Sequence, residues 1–208
     1  MIISHRHRFI FFAVPKTGTH SVRQALRAQL GPDDLEQVGH FVEKRFPFPE
    51  LAALKHGHLS VQQVRPVLGP ELFDAYRKFA FVRNPFDRFV SFCAFMGRNT
   101  GDFERHPVAY MRYLLLEARP FEHPLFRPQH HLLCDADGAL RMDQVGRTET
   151  MQASYDSICD ALGLPHADLG MVNSSKHRPF QEYYDADLVA RVGEHFRRDL
   201  ELFGYRFE

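Results

Sequence analysis

The chain has 208 residues, 26 Lys+Arg against 26 Asp+Glu, and 44% hydrophobic residues. That length fits a single domain over residues 1–208, with enough apolar content for a core that needs no staples. The composition excludes a disordered, collagen-like or coiled-coil chain, and zero net charge argues against a general nucleic-acid or anionic-membrane binder, whose affinity needs excess cation.

In chain order, residues 8–14 (R-F-I-F-F-A-V) form a continuous apolar run ended by Pro15, the mark of a strand buried on both faces. Residues 21–30 place Val22, Ala25, Leu26 and Leu30 on one helical face, and Gly31-Pro32 stops that helix. Residues 49–54 and 61–68 read as helical, with a short strand candidate at 55–60 between them. A second strand–loop–helix unit follows: residues 78–82, then Arg83-Asn84-Pro85, then a helix from Phe86 to about Arg98. Asn84 suits its N-cap, Pro85 the first helical position, and Asp87 the first turn, where a carboxylate favours the dipole. Residues 107–118 and 150–162 are helical by pattern, and 142–146 is a further strand candidate. Asp185 caps a last amphipathic helix through Leu202, with Gly204 past its end. Strands alternating with helices predict an α/β fold whose mainly parallel sheet is covered on both faces.

Cys93, Cys134 and Cys159 fit neither a disulfide framework nor a CxxC metal knuckle, and they read as buried thiols in a reducing compartment. The apolar run before Pro15 is too short for a secretory leader, and no stretch approaches the ~20 apolar residues of a membrane span. A cytoplasmic protein with no membrane attachment is the expectation.

Ligands of parallel sheets sit at the carboxyl ends of the strands, which directs attention to two loops. The first, Pro15-Lys16-Thr17-Gly18-Thr19-His20-Ser21, joins a lysine, a glycine permitting close backbone approach, three hydroxyls and a helix N-terminus, and so suits an anion. Residues 1–32 carry Arg6, Arg8, Lys16, Arg23 and Arg27 and no acid. Lys16 precedes Gly18, so this is not the G-x-x-x-x-G-K-[ST] loop of nucleoside triphosphatases. In the second loop Arg83 can fork onto a phosphate while a hydroxyl and the following helix N-terminus complete the cage. Two such loops suggest a ligand anionic at both ends.

The run Pro15-Lys16-Thr17-Gly18-Thr19 resembles the 5′-phosphosulfate loop of sulfotransferases that use 3′-phosphoadenosine 5′-phosphosulfate (PAPS). Residues 81–91 (F-V-R-N-P-F-D-R-F-V-S) resemble their 3′-phosphate segment, in the style of the carbohydrate-type enzymes. Lys55-His56-Gly57-His58-Leu59-Ser60 is similar to the H-G-H segment of heparan sulfate 2-O-sulfotransferase-like members, and residues 146–149, 173–178 and 199–205 echo later family segments. The resemblance implies a P-loop-like three-layer fold. It also implies that Lys16 contacts the bridging oxygen and sulfonate, and that Pro15, Thr17, Gly18, Thr19, Ser21 and the His20 backbone hold the 5′-phosphate. By the same resemblance Arg83 and Ser91 take the 3′-phosphate, Lys176 closes over the nucleotide, and His58 is the general base with His56 beside it. Position 20 is His where the family usually has a small hydroxyl residue.

The implied reaction is transfer of a sulfonate to a hydroxyl, a saccharide's first, with a peptide tyrosine or a small phenol as the other acceptors open, leaving the desulfonated nucleotide PAP, with no metal required. Positioning and charge stabilisation dominate such displacements. A lysine beside the departing phosphate oxygen stabilises the transition state above the ground state, and histidine suits proton removal near neutral pH. The competing expectations are a P-loop-like kinase using ATP and Mg²⁺, and a non-catalytic nucleotide sensor.

Overall fold

In the computed structural model, the run before Pro15 is the middle strand of a five-stranded sheet. The structure describes residues 1–39, 46–170 and 178–208. In chain order the elements are β1 (Ile2–Ser4), β2 (Phe9–Phe12), α1 (Thr19–Arg27), β3 (Leu35–Glu36), α2 (Pro49–Ala52), α3 (Val61–Leu68), α4 (Pro70–Ala75) and β4 (Arg77–Val82). Then come α5 (Pro85–Gly97), α6 (Asp102–Arg105), α7 (Pro107–Arg112), α8 (His130–Leu133), β5 (Gln144–Arg147), α9 (Met151–Leu162), α10 (Ala186–His195) and α11 (Arg197–Phe203). The chain divides into two compact units, Met1–Val82 with Gln129–Val172 and Arg83–Pro128 with Asn173–Glu208. Each is built from two separated stretches, so no shift in composition along the chain marks a boundary.

The first unit holds the sheet, ordered β3-β1-β2-β4-β5. β2, β4 and β5 run parallel, with Phe11 opposite Phe79 and Phe79 opposite Gln144. β1 is antiparallel to both β2 and β3. The sheet is mixed, the expected parallel part being β2-β4-β5 and the antiparallel edge an addition: Ile2-Ile3-Ser4 turns back through the basic residues 5–8 onto β2 as a hairpin, with Arg8 at φ 54°. Period-2 geometry then sorts the aromatic side chains. Phe9, Phe11, Phe79 and Phe81 pack with Val22 and Leu26 of α1 and with Tyr155, Ile158 and Cys159 of α9. Phe12, pointing the other way, meets Phe73 of α4 edge-on at 6.3 Å. Both faces are covered, and each fully buried Phe contributes about 1.5–3 kcal/mol.

The second unit is helical and centred on α5, whose Phe86, Phe89, Val90 and Cys93 pack with Phe126, with Leu188 and Val192 of α10, and with Phe196. The Asn84 side chain caps α5 by accepting from the Phe86 N–H at 3.1 Å, and Pro85 takes the first turn as expected. Asp185 likewise caps α10. The predicted helix from 185 to 202 breaks at Phe196 into α10 and α11, and the one over 107–118 ends in a π-helical turn, Tyr113–Ala118. All three cysteines are buried. No helix among the described residues is long and apolar enough to cross a membrane.

Candidate active site

Beyond β2 the chain must turn sharply to start α1, and it does so with two residues in the left-handed region, Lys16 at φ 66° and Gly18 at φ 71°. Glycine reaches that region without strain and lysine does not, so the loop holds Lys16 in a conformation that costs about 1–2 kcal/mol. Gly18 is the N-cap of α1, and a Cβ there would stand 2.1 Å from Met151 Cε. Thr17 is fully buried and its hydroxyl donates to Val14 O at 2.8 Å. Pro15, Thr19 and Ser21 are buried, Lys16 is half-buried, and His20 is exposed. No acid stands in the first turn of α1, so the positive end of its dipole is left uncompensated.

One residue braces this loop from the far strand. Thr148, directly after β5, has its hydroxyl 3.0 Å from Val82 O at the end of β4 and 3.3 Å from Thr17 O. A single side chain thus ties the carboxyl ends of β4 and β5 to the loop that follows β2.

The H-G-H segment is not a strand. Residues 55–60 form a bend and irregular chain, with Lys55 at φ 56°. Gly57 explains the path: a Cβ there would lie 2.1 Å from Gln37 O and 2.9 Å from the Met1 nitrogen, so only glycine lets the backbones approach this closely. Gln37, fully buried, holds the segment, its Nε2 donating to His56 O at 2.8 Å and Leu51 O at 2.7 Å.

The two histidines are then distinguished by their partners. His58 Nδ1 lies 2.7 Å from Ala13 O, at the end of β2. A carbonyl only accepts, so Nδ1 carries the proton and Nε2 of the neutral ring carries the lone pair. His56 Nδ1 accepts the His58 backbone N–H at 3.3 Å, so the proton of its neutral ring lies on Nε2. The rings stack with centroids 6.2 Å apart. Burial pushes the His58 imidazolium down to about pH 3, against the Ala13 bond that favours it; the Met1 amine, His56 and Arg23 push the same way as burial. His58 is a neutral imidazole with a bare Nε2 throughout the neutral range.

On α1, His20 Nδ1 accepts from Arg23 Nη2 at 3.0 Å. Its affinity for a proton is lowered by desolvation of the ring against α1 and then by the charges of Arg23, Arg27 and Lys16.

In the second unit Arg83 is the first residue after β4, and its Nε donates to Asp87 Oδ2 at 2.7 Å; the two side chains are 12% and 19% exposed. Asn84, besides capping α5, donates Nδ2 to Arg206 O at 2.8 Å. Ser91 is buried on α5. Arg88, 2% exposed, donates Nη2 to Leu125 O and Arg127 O at 3.1 and 2.9 Å. Burial lowers its pKa to about 10 in spite of the Asp199 charge. Arg88 is thus a structural tie. Lys176 lies outside the described residues.

Three of these residues, Gln37, Thr148 and Arg88, have no role assigned from sequence. Thr148 and Arg88 stand within quoted motifs, residues 146–149 and 81–91, and Gln37 within none. None of the three carries a local signal of what it does, because a buried polar tie is defined by partners distant in sequence.

A family model described as the sulfotransferase family matches residues 1–206, nearly the whole chain. No curated protein and no solved structure matches. The chain belongs to the sulfotransferase family, whose members in general take a sulfonate from PAPS and pass it to an acceptor hydroxyl.

Proposed function

We propose that this member of the sulfotransferase family transfers the sulfonate of PAPS to a saccharide hydroxyl by in-line displacement, with His58 as general base and Lys16 at the leaving group. The acceptor oxygen forms its bond to sulfur as the bond from sulfur to the bridging phosphate oxygen breaks. His58 Nε2 takes the acceptor proton, and the charge left on the departing 5′-phosphate meets the Lys16 ammonium. Thr19, Ser21 and the backbone N–H groups of residues 17–20 hold the 5′-phosphate at the start of α1. Thr17 contributes its N–H, since its hydroxyl proton is engaged with Val14 O. Arg83, oriented by Asp87, and Ser91 take the 3′-phosphate, and Lys176 closes over the nucleotide. His56, with its proton on Nε2, donates a hydrogen bond beside the base. The saccharide acceptor rests on the likeness of residues 55–60 to the 2-O-sulfotransferase segment.

The observation that carries the assignment of the base is the His58–Ala13 bond, which fixes a bare Nε2 on a neutral ring. A ring with its proton lowered to about pH 3 is a weak base in isolation. A donor with roughly four negative charges at the neighbouring loop raises its proton affinity as the reaction requires.

Transfer from PAPS to a panel of saccharide acceptors, assayed in EDTA, tests the reading. Lys16→Ala lowers the rate about 10²–10³-fold, and His58→Ala lowers it about 10²–10⁴-fold while PAP still binds. Loss of PAP binding together with activity in His58→Ala would assign His58 a structural role instead.

A further inference from the structure

Arg23 lies on α1 one turn beyond His20 and is only 6% exposed. Its Nη2 donates to His20 Nδ1 at 3.0 Å, and its Nε is buried with no hydrogen-bond partner. Glu36 on β3, the carboxylate whose charge acts on Arg23, makes its ion pair with Arg27 at 2.8 Å. Among the described residues no carboxylate bonds to Arg23. A buried guanidinium in this condition is expensive, and the bond to His20 is the one that its position on α1 provides.

That bond has a chemical consequence. A guanidinium only donates, at any pH the protein experiences. Nδ1 of His20 must therefore be a lone-pair nitrogen, and the neutral ring carries its proton on Nε2. We propose that Arg23 is a positioning residue for the donor site: it locks His20 as a neutral imidazole whose Nε2–H is offered to the anion at the 15–21 loop. This rests on the donor reading of that loop given above. The groups facing His20 agree with the lock, since Arg23 and Arg27 on its own helix and Lys16 from the loop are all cations and all oppose a second proton. A neutral Nε2–H donates one hydrogen bond without adding a charge of its own. A neutral donor also avoids strengthening the grip on substrate and product alike, which binds without accelerating.

The test begins with the nitrogen NMR spectrum of the full chain labelled at histidine, without nucleotide. His20 is expected to show a protonated Nε2 and a bare Nδ1 at pH 8; a proton on Nδ1 of the wild-type protein at that pH overturns the proposal, whatever any variant does. In Arg23→Met the lock is gone, and His20 titrates upward, toward its ordinary value of about 6.5. Calorimetric titration with PAP at pH 8 then compares Arg23→Met in two backgrounds, wild type and His20→Gln, whose amide donates without a tautomer to set. Arg23→Met costs about tenfold in affinity in the wild-type background and under about threefold in the His20→Gln background. Equal losses in both backgrounds mean that Arg23 acts through its own charge or packing, and the proposal fails. Absence of PAP binding by the wild-type protein would sink the donor reading and the anion role together, leaving only the tautomer.

Discussion

His58 behaves oppositely to a surface histidine, and the sign of the effect is open to measurement. Its proton leaves at about pH 3 in the folded chain against about 6.5 in an unfolded one. Between those values the unfolded chain binds a proton that the folded chain refuses, so stability falls as pH falls through that window. The contribution is complete above about 6.5 and is progressively lost toward 3. His58→Gln removes the titrating group, so its melting temperature is expected to drop less than wild type's between pH 7 and pH 5; parallel drops would mean that burial does not hold the ring neutral. H-G-H is symmetric, so spacing alone does not separate His56 from His58, and His58 was favoured by resemblance only. The partners each ring meets, Ala13 O for His58 and the His58 N–H against His56, give the two rings opposite tautomers, and neither partner is visible from spacing.

Among the elements, those with their own local chemistry were legible and those defined by distant partners were not. Residues 61–68 came out with the bounds expected, since Ser60 and Gln63 close a reciprocal capping box. α5 was equally plain from Asn84-Pro85. Residues 55–60 read as a strand candidate, yet Gly57 packs on the Gln37 backbone and no strand partners the segment among the described residues. Gly57→Ala places a methyl 2.1 Å from Gln37 O, and backbone cannot rotate aside. The expected cost is about 1–3 kcal/mol, read by denaturant unfolding, with transfer activity lost more steeply as His58 is displaced; a variant as stable and active as wild type would refute the close approach. Thr148→Val tests the brace between the strand ends. It removes the hydroxyl from Val82 O and Thr17 O and is expected to cost about 0.5–1.5 kcal/mol and to weaken PAP binding. Unchanged PAP affinity would show that the loop keeps its shape without the tie.

For the whole molecule, the alternation of strand and helix pointed to the α/β class, and the family match over residues 1–206 agrees with the resemblance to sulfotransferases in general. The antiparallel edge was missed because β1 and β3 are three and two residues long, too short for any period to register. Each of the two compact units is assembled from two stretches of chain, so no local signal in the sequence marks where one gives way to the other. The function proposed above has this chain recognise a 3′-phosphorylated adenylate donor, with Arg83 answering the 3′-phosphate. The most direct measurement is calorimetric titration of the wild-type protein and Arg83→Ala with PAP and with AMP, in EDTA. Charge-assisted bonds of about 1.5–3 kcal/mol predict at least tenfold tighter binding of PAP than of AMP by wild type, and a preference that collapses in Arg83→Ala. Equal affinity of the wild-type protein for the two nucleotides would mean that no group of this chain reads the 3′-phosphate.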